Sequence, residues 1–306
     1  MVHSSQSLPG QAARRRILIV FNPAAGSRRA SRLRAVVRAL MDRGAEVKIR
    51  ETMGPKDATE FASECTVADW DAIVAAGGDG TLNEVINGHR DGVPPVGLIP
   101  LGTANLAALE MEIGAPPATV AEMIVRGPVR PAYVGRVNER RFLLMTGVGF
   151  DAHVVRSVSS PLKRLIGKGA YALETARQMW RYGFPRFTIE IDGVARPAAS
   201  VVVMKGRYYA GPYVCAADSR FDDPTLYACL FEKPGRLQVV RYAVNMLLGR
   251  LESCGGYRVM PAKRIVIDAP DDDPVQVDGD LGGRLPIVIE AAADAIPLIR
   301  MPRTAG

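Results

Sequence analysis

At 306 residues the chain is longer than one average domain and shorter than three, and its 48% hydrophobic and 23% charged content is that of an ordinary globular protein. No window approaches the roughly 18 apolar residues a bilayer-crossing helix needs, and the scattered Cys65, Cys215, Cys229 and Cys254 form no C-x-x-C pair, so they read as buried thiols of a reducing compartment rather than zinc ligands or disulfides. The net charge of +7 favours an anionic partner, while 6% aromatic residues and the lack of a zinc-finger, RNA-sheet or helix-turn-helix pattern argue against nucleic acid.

Met1 to Ala13, rich in Ser, Gln, Gly and Pro, reads as a disordered leader. Eight arginines, beginning with Arg14, Arg15 and Arg16 and ending at Arg38, precede the first acidic residue, Asp42. Such a field suits an anionic membrane surface, or else is a solvated helix face. Ile17 to Phe21 is too short for a signal peptide and reads as a first strand. Leu33, Val36, Val37, Leu40 and Met41 then recur at helical spacing, closed by Gly44. Glu46 to Glu51, Ala72 to Ala76 and Val96 to Ile99 are further strands, and Lys56 to Cys65, Thr81 to Gly88, Thr103 to Ile113 and Thr119 to Arg126 further helices. This alternation predicts an α/β domain over 14–129 with a mainly parallel sheet and ligands at the carboxyl ends of its strands.

Beyond Gly127 and Pro128 the texture changes. Val134 to Val137, Arg141 to Thr146, Phe187 to Ile191, Ser200 to Met204, Leu226 to Phe231, Arg264 to Ile267, Val275 to Val277 and Pro286 to Glu290 read as strands. The helices Lys168 to Tyr182 and Leu237 to Leu248 interrupt them. A β-rich domain is expected over 130–290, with a tail, 291–306, that packs back on the first domain.

The chemistry concentrates in turns. Gly77-Gly78-Asp79-Gly80-Thr81-Leu82-Asn83-Glu84 lies between a buried strand and a helix, where glycines admit a phosphate close to backbone N–H groups and the helix start adds partial positive charge. Asp79 would then either bind Mg through water or accept a hydroxyl proton; alone, it is equally a helix cap. Asn22-Pro23-Ala24-Ala25-Gly26-Ser27 and Pro100-Leu101-Gly102-Thr103-Ala104-Asn105 end two other strands of the same sheet, so three turns would converge on one polyphosphate. No Walker-type G-x-x-x-x-G-K-[ST] occurs, and Gly147-Val148-Gly149-Phe150-Asp151-Ala152 lacks the βαβ frame of a dinucleotide site. His89 and His153 are isolated and read as structural, and no serine has a histidine-carboxylate pair.

These segments, with Gly149-Phe150-Asp151-Ala152 and the late Val277-Asp278-Gly279-Asp280, resemble the diacylglycerol kinase catalytic-domain family, which includes bacterial lipid kinases and sphingosine kinases. The likeness spans nearly the whole chain after residue 14, and its GGDGTLNE core is highly specific. It implies an α/β nucleotide-binding domain related to those of NAD kinases and phosphofructokinases, then a β-sandwich domain. The implied activity is transfer of a phosphoryl group from ATP, with Mg, to a hydroxyl of a diacylglycerol-like or sphingoid lipid. The enzyme would be peripheral to the cytoplasmic face of an anionic membrane. Competing readings are an NAD kinase-like phosphotransferase on a soluble substrate and a catalytically weak lipid-binding regulator.

Carried over by motif, Asp79, Asp278 and Asp280 would be catalytic, with Asp79 and Asp280 Mg-linked. Asn22, Pro23, Gly26, Gly77, Gly78, Gly80, Thr81, Glu84, Gly102, Thr103 and Asn105 would line the nucleotide, and Lys163, Arg164 and Lys168 would face its phosphates. Asp151 would orient the substrate hydroxyl. Three positions depart from the pattern: Asp280 stands where relatives carry Glu, Leu106 where many bacterial members carry Asp, and Asp222-Asp223-Pro224 where they have an Asp-Asp-Gly turn near a structural Mg.

Overall fold

The computed structural model describes residues 13–23, 27–114, 116–157, 168–269 and 272–302, so residues 1–12 of the expected leader lie outside it. In the first third, strands β1 (Arg16–Phe21), β2 (Glu46–Glu51), β3 (Ala72–Gly77) and β4 (Val96–Pro100) alternate with helices α1 (Ser27–Met41), α2 (Asp57–Glu64), α3 (Asp79–Gly88), α4 (Leu106–Glu110) and α5 (Pro117–Arg126). The four strands pair in parallel in the order β2, β1, β3, β4. Every residue of β3 is buried, as expected of a central parallel strand covered on both faces.

The remaining strands are β5 (Val129–Val137), β6 (Arg140–Phe142), β7 (Met145–Val148), β8 (Phe187–Ile191), β9 (Val194–Ala198), β10 (Ser200–Met204), β11 (Tyr208–Tyr209), β12 (Tyr213–Val214), β13 (Leu226–Phe231), β14 (Tyr257–Ala262), β15 (Arg264–Asp268), β16 (Pro274–Val277), β17 (Asp280–Arg284) and β18 (Ile287–Ile299). Helices α6 (Phe150–Ser157), α7 (Lys168–Arg181) and α8 (Arg236–Leu247) interrupt them. One antiparallel sheet runs β14-β13-β10-β7-β16-β17. The parallel sheet extends beyond β4 through β18, β15, β8 and β9, with Leu298 of β18 registered on Val96 of β4 and β5 also paired to β18. A second apolar core fills the space between the sheets, with Val148, Val201, Val203 and Leu230 from one and Ile189, Ile265, Ile267 and Ile289 from the other. The chain is therefore an α/β layer joined through β18 to a β-sandwich. All four cysteines are free and buried.

Two helical and strand boundaries differ from the sequence reading for identifiable reasons. The expected helix from Thr103 begins only at Leu106, because Asn105 adopts a left-handed conformation (φ 49°) and its side chain bonds Gly102 O at 2.8 Å. The expected strand from Arg141 to Thr146 splits into β6 and β7, because the amides of Leu143, Leu144 and Met145 turn away to one carboxylate, Asp278.

Arg14 also departs from its expected surface role. It is buried, donating from Nε to Ile124 O at 2.6 Å and from Nη2 to Gly127 O at 2.5 Å, so it ties the start of β1 to the end of α5. Arg16 is engaged by Asp71 at 2.7 Å. The arginines at the start of β1 are thus partly consumed by the fold.

Candidate active site

The turns that follow β1, β3 and β4 meet at one edge of the sheet, as parallel pairing requires. Asn22 N donates to Ala76 O at 3.0 Å, and Asn22 Nδ2 to Thr81 Oγ1 at 3.3 Å. Leu101 N and Gly102 N donate to Gly77 O at 2.7 and 3.2 Å. Gly78 and Gly102 pass so closely that a Cβ added at Gly102 would stand 2.5 Å from Gly78 Cα, and one added at Gly78 would stand 3.2 Å from Gly102 Cα. A Cβ at Gly102 would clash outright, and one at Gly78 would be tight. Gly102→Ala is therefore expected to lower stability by about 1–3 kcal/mol, the usual cost of overpacking, seen as a lower melting temperature; an unchanged melt would mean that the crossing yields freely.

Asp79 heads α3 directly after this crossing. Its Oδ2 accepts Leu106 N and its Oδ1 accepts Ala107 N, both at 3.0 Å. One carboxylate thereby satisfies the first two amides of α4 and fixes that helix against the glycine turn. Leu106 contributes its N–H, while its apolar side chain is buried. Asp280 approaches from β17: a Cβ added at Gly80 would lie 3.4 Å from Asp280 Oδ2. Asp79 and Asp280 therefore flank Gly80.

Asp278 is engaged differently. Its Oδ1 accepts Leu144 N and Met145 N at 2.9 Å, and its Oδ2 accepts Leu143 N at 2.9 Å and Asn83 Nδ2 at 2.7 Å. Burial pushes its pKa up to about 6 against those backbone donors, and the charge of Asp79 adds to the push. With four donors on its oxygens, Asp278 positions the turn that carries Asp280 and locks it to α3. Asn83, within the GGDGTLNE segment, is the partner that the sequence reading passed over.

Asp151 lies in the first turn of α6, with Oδ1 accepting the Tyr209 hydroxyl. Its Oδ2 is buried on the side of the Gln276 amide. Burial raises its pKa, opposed by Tyr209 and the Gln276 amide. Gln276 in turn accepts Gly279 N at 3.0 Å, which links Asp151 to the Asp278–Asp280 turn. Nothing in the local sequence around Tyr209 signals this contact.

Other expected residues separate from the cluster. The Glu84 carboxylate reaches α2, accepting Ala58 N at 3.3 Å, rather than the glycine crossing. Pro23 and Thr103 are exposed at the rim of their turns. Gly26, Lys163 and Arg164 lie outside the described residues, as does the side chain of Lys168. The Asp222-Asp223 turn encloses the fully buried Lys205, whose Nζ donates to Arg220 O at 2.5 Å and also to Asp223 O. Burial pulls that ammonium down to about 8, with Asp223 and Asp222 opposing. A lysine cation thus already stands among the carbonyls of this turn.

Comparison with known proteins matches residues 16–137 to the diacylglycerol kinase catalytic domain and residues 145–300 to the YegS C-terminal NAD kinase beta sandwich-like domain. The chain is 29% identical over 280 residues to a diacylglycerol kinase of Bacillus subtilis, covering 89% of this chain and 92% of that one. It is 27% identical over 278 residues to a diacylglycerol kinase of Staphylococcus saprophyticus, covering 89% and 91%. A solved diacylglycerol kinase structure from Bacillus anthracis superposes with a TM-score of 0.77 at 25% identity, covering 95% of this chain and 99% of that one. A further structure from that organism shares the fold with a TM-score of 0.80 at 23% identity, covering 99% of both chains.

Proposed function

The chain belongs to the diacylglycerol kinase catalytic-domain family, and from that premise we propose that it transfers the γ-phosphoryl group of ATP to a hydroxyl of a diacylglycerol-like or sphingoid lipid. The observation that carries this reading is the Gly78–Gly102 crossing with Asp79 and Asp280 on either side of Gly80. Backbone amides at such a crossing bind phosphate oxygens without side-chain obstruction, and the start of α3 adds favourable partial charge. Fixing donor and acceptor in one geometry removes much of the entropic part of the barrier.

Mg commonly takes one or two carboxylates, several waters and substrate phosphates rather than an all-protein cage. That habit fits this site, where two carboxylates flank one glycine. Asp79 and Asp280 would hold the ion, which supplies charge neutralisation to the phosphates. Each Asp79 oxygen accepts an amide of α4. Asp79 serves either as proton acceptor for the attacking hydroxyl or as metal organiser. Asp151, held by Tyr209, orients that hydroxyl.

Asp280→Ala is expected to raise the Mg concentration for half-maximal rate by roughly tenfold or more, read from a Mg titration of initial rate. An unchanged titration would place β17 outside the site. The reading as a whole is tested by incubating labelled ATP with diacylglycerol and sphingosine in mixed micelles and, separately, with NAD. Label in the lipid fraction supports it; label only in NAD would assign the soluble-substrate reaction instead. No described helix is long and apolar enough to cross a membrane; in the proposed reading the enzyme would meet its lipid as a peripheral protein on the cytoplasmic face.

A further inference from the structure

The outer face of α8 is built unlike the rest of the surface. Leu237, Val240, Val244 and Leu247 are 84%, 47%, 45% and 60% exposed, and Leu248, directly after the helix, is 63% exposed. At 3.6 residues per turn these five fall within an arc of about 100°. Arg236 and Arg241 stand at the two edges of that arc, and the helix, RLQVVRYAVNML, contains no acidic residue. The opposite face is anchored: Tyr242 is 4% exposed and donates its hydroxyl to Gly256 O at 2.8 Å, while Met246 packs on the core. The apolar stripe is therefore a fixed outward feature.

Trp180, at the end of α7, extends the stripe. It is 74% exposed, and Arg236 both donates to Trp180 O at 3.2 Å and stacks its guanidinium 4.6 Å from the ring centroid. Exposed Lys233 and Arg250 flank the helix at either end. Contiguous exposed apolar surface of this kind marks an interaction site. A stripe of Leu and Val with a tryptophan at one end and cations along both edges is the pattern of a helix lying in a lipid headgroup layer.

We propose that α8 and Trp180 form the membrane-docking face, seated in the interface of an anionic bilayer with the stripe in the acyl boundary and the flanking cations on headgroup phosphates. This deepens the lipid-kinase reading and rests on it for its purpose, though not for its physics. Apolar insertion would supply most of the attachment, with the cations selecting anionic surfaces.

The full chain carries two tryptophans, so Trp70→Phe leaves Trp180 as the only one. Added to vesicles of equal parts phosphatidylglycerol and phosphatidylcholine, this protein is expected to show a blue-shifted emission that acyl-brominated lipid quenches. Leu237→Gln, Leu247→Gln and Leu248→Gln together should weaken vesicle binding by about tenfold or more. The three sites are exposed, so the melting temperature should hold, and transfer to a monomeric short-chain diacylglycerol in solution should be unchanged. If emission does not move on vesicles, or the triple variant binds them as the parent does, the proposal is overturned. Loss of a dimer in sedimentation with vesicle binding intact would also overturn it, assigning the face to a second copy of the chain. Failure of the parent to phosphorylate any lipid, with variant-sensitive vesicle binding retained, would defeat the kinase reading alone.

Discussion

Asp79→Asn is expected to reduce phosphoryl transfer by about a thousandfold or more, equivalent to roughly 4 kcal/mol in the barrier, while leaving most of the fold in place. The substitution keeps the size of the side chain and removes the charge, and with it both roles open to Asp79. The structure adds a second consequence. Asp79 Oδ1 and Oδ2 each accept an α4 amide, and an asparagine can accept only one of them, turning its own N–H₂ toward the other. An unpaired donor of that kind costs about 1–3 kcal/mol, so a modest fall in melting temperature should accompany the loss of rate. Measuring both separates them. Turnover within about threefold of the parent, roughly 0.65 kcal/mol, would reduce Asp79 to a helix-capping turn residue.

Asp278→Ala should have the largest effect on stability. Three backbone amides and the Asn83 side chain converge on this carboxylate, and removing it leaves all four donors without their acceptor in a largely enclosed site. At about 1–3 kcal/mol for each donor that water fails to reach, a loss of about 4 kcal/mol is a conservative expectation. For a chain of this size that is a fall of about 6 °C in melting temperature. Asp278→Asn, which still accepts some of the donors, should fall between the two. A melt for Asp278→Ala within about 2 °C of the parent would show that the turn holds without its carboxylate.

The amino-acid sequence announces the glycine crossing because its geometry is local. Gly77 to Gly80 and Gly102 each end a buried strand, and parallel pairing alone brings their turns to one edge. What escaped sequence reading is what long-range partners decide. Glu84 shares a motif with Asp79 yet serves Ala58 of α2, because α2 packs beside it. The break between β6 and β7 is imposed by Asp278, more than 130 residues away. Arg14 resembles its exposed neighbours until the carbonyls at the end of α5 capture it. The tract from Ile287 to Ile299 is one strand rather than a short strand and a tail, since it pairs in turn with β15, β5 and β4. The spacing of Leu237, Val240, Val244 and Leu247 identifies a helix but not the side its stripe faces; Tyr242 and Met246 settle that by taking the core side.

The central claim is that the turns after β3 and β4 hold the nucleotide phosphates between Asp79 and Asp280. It is tested most directly by a crystal structure of the chain with Mg, a non-hydrolysable ATP analogue and a short-chain diacylglycerol. The β- and γ-phosphates are predicted to lie against the amides of the Gly77–Gly80 and Gly102–Asn105 turns, with the ion between the two carboxylates and the lipid hydroxyl on the Asp151 side. A nucleotide bound away from those turns, or an ion that touches neither Asp79 nor Asp280, would contradict it.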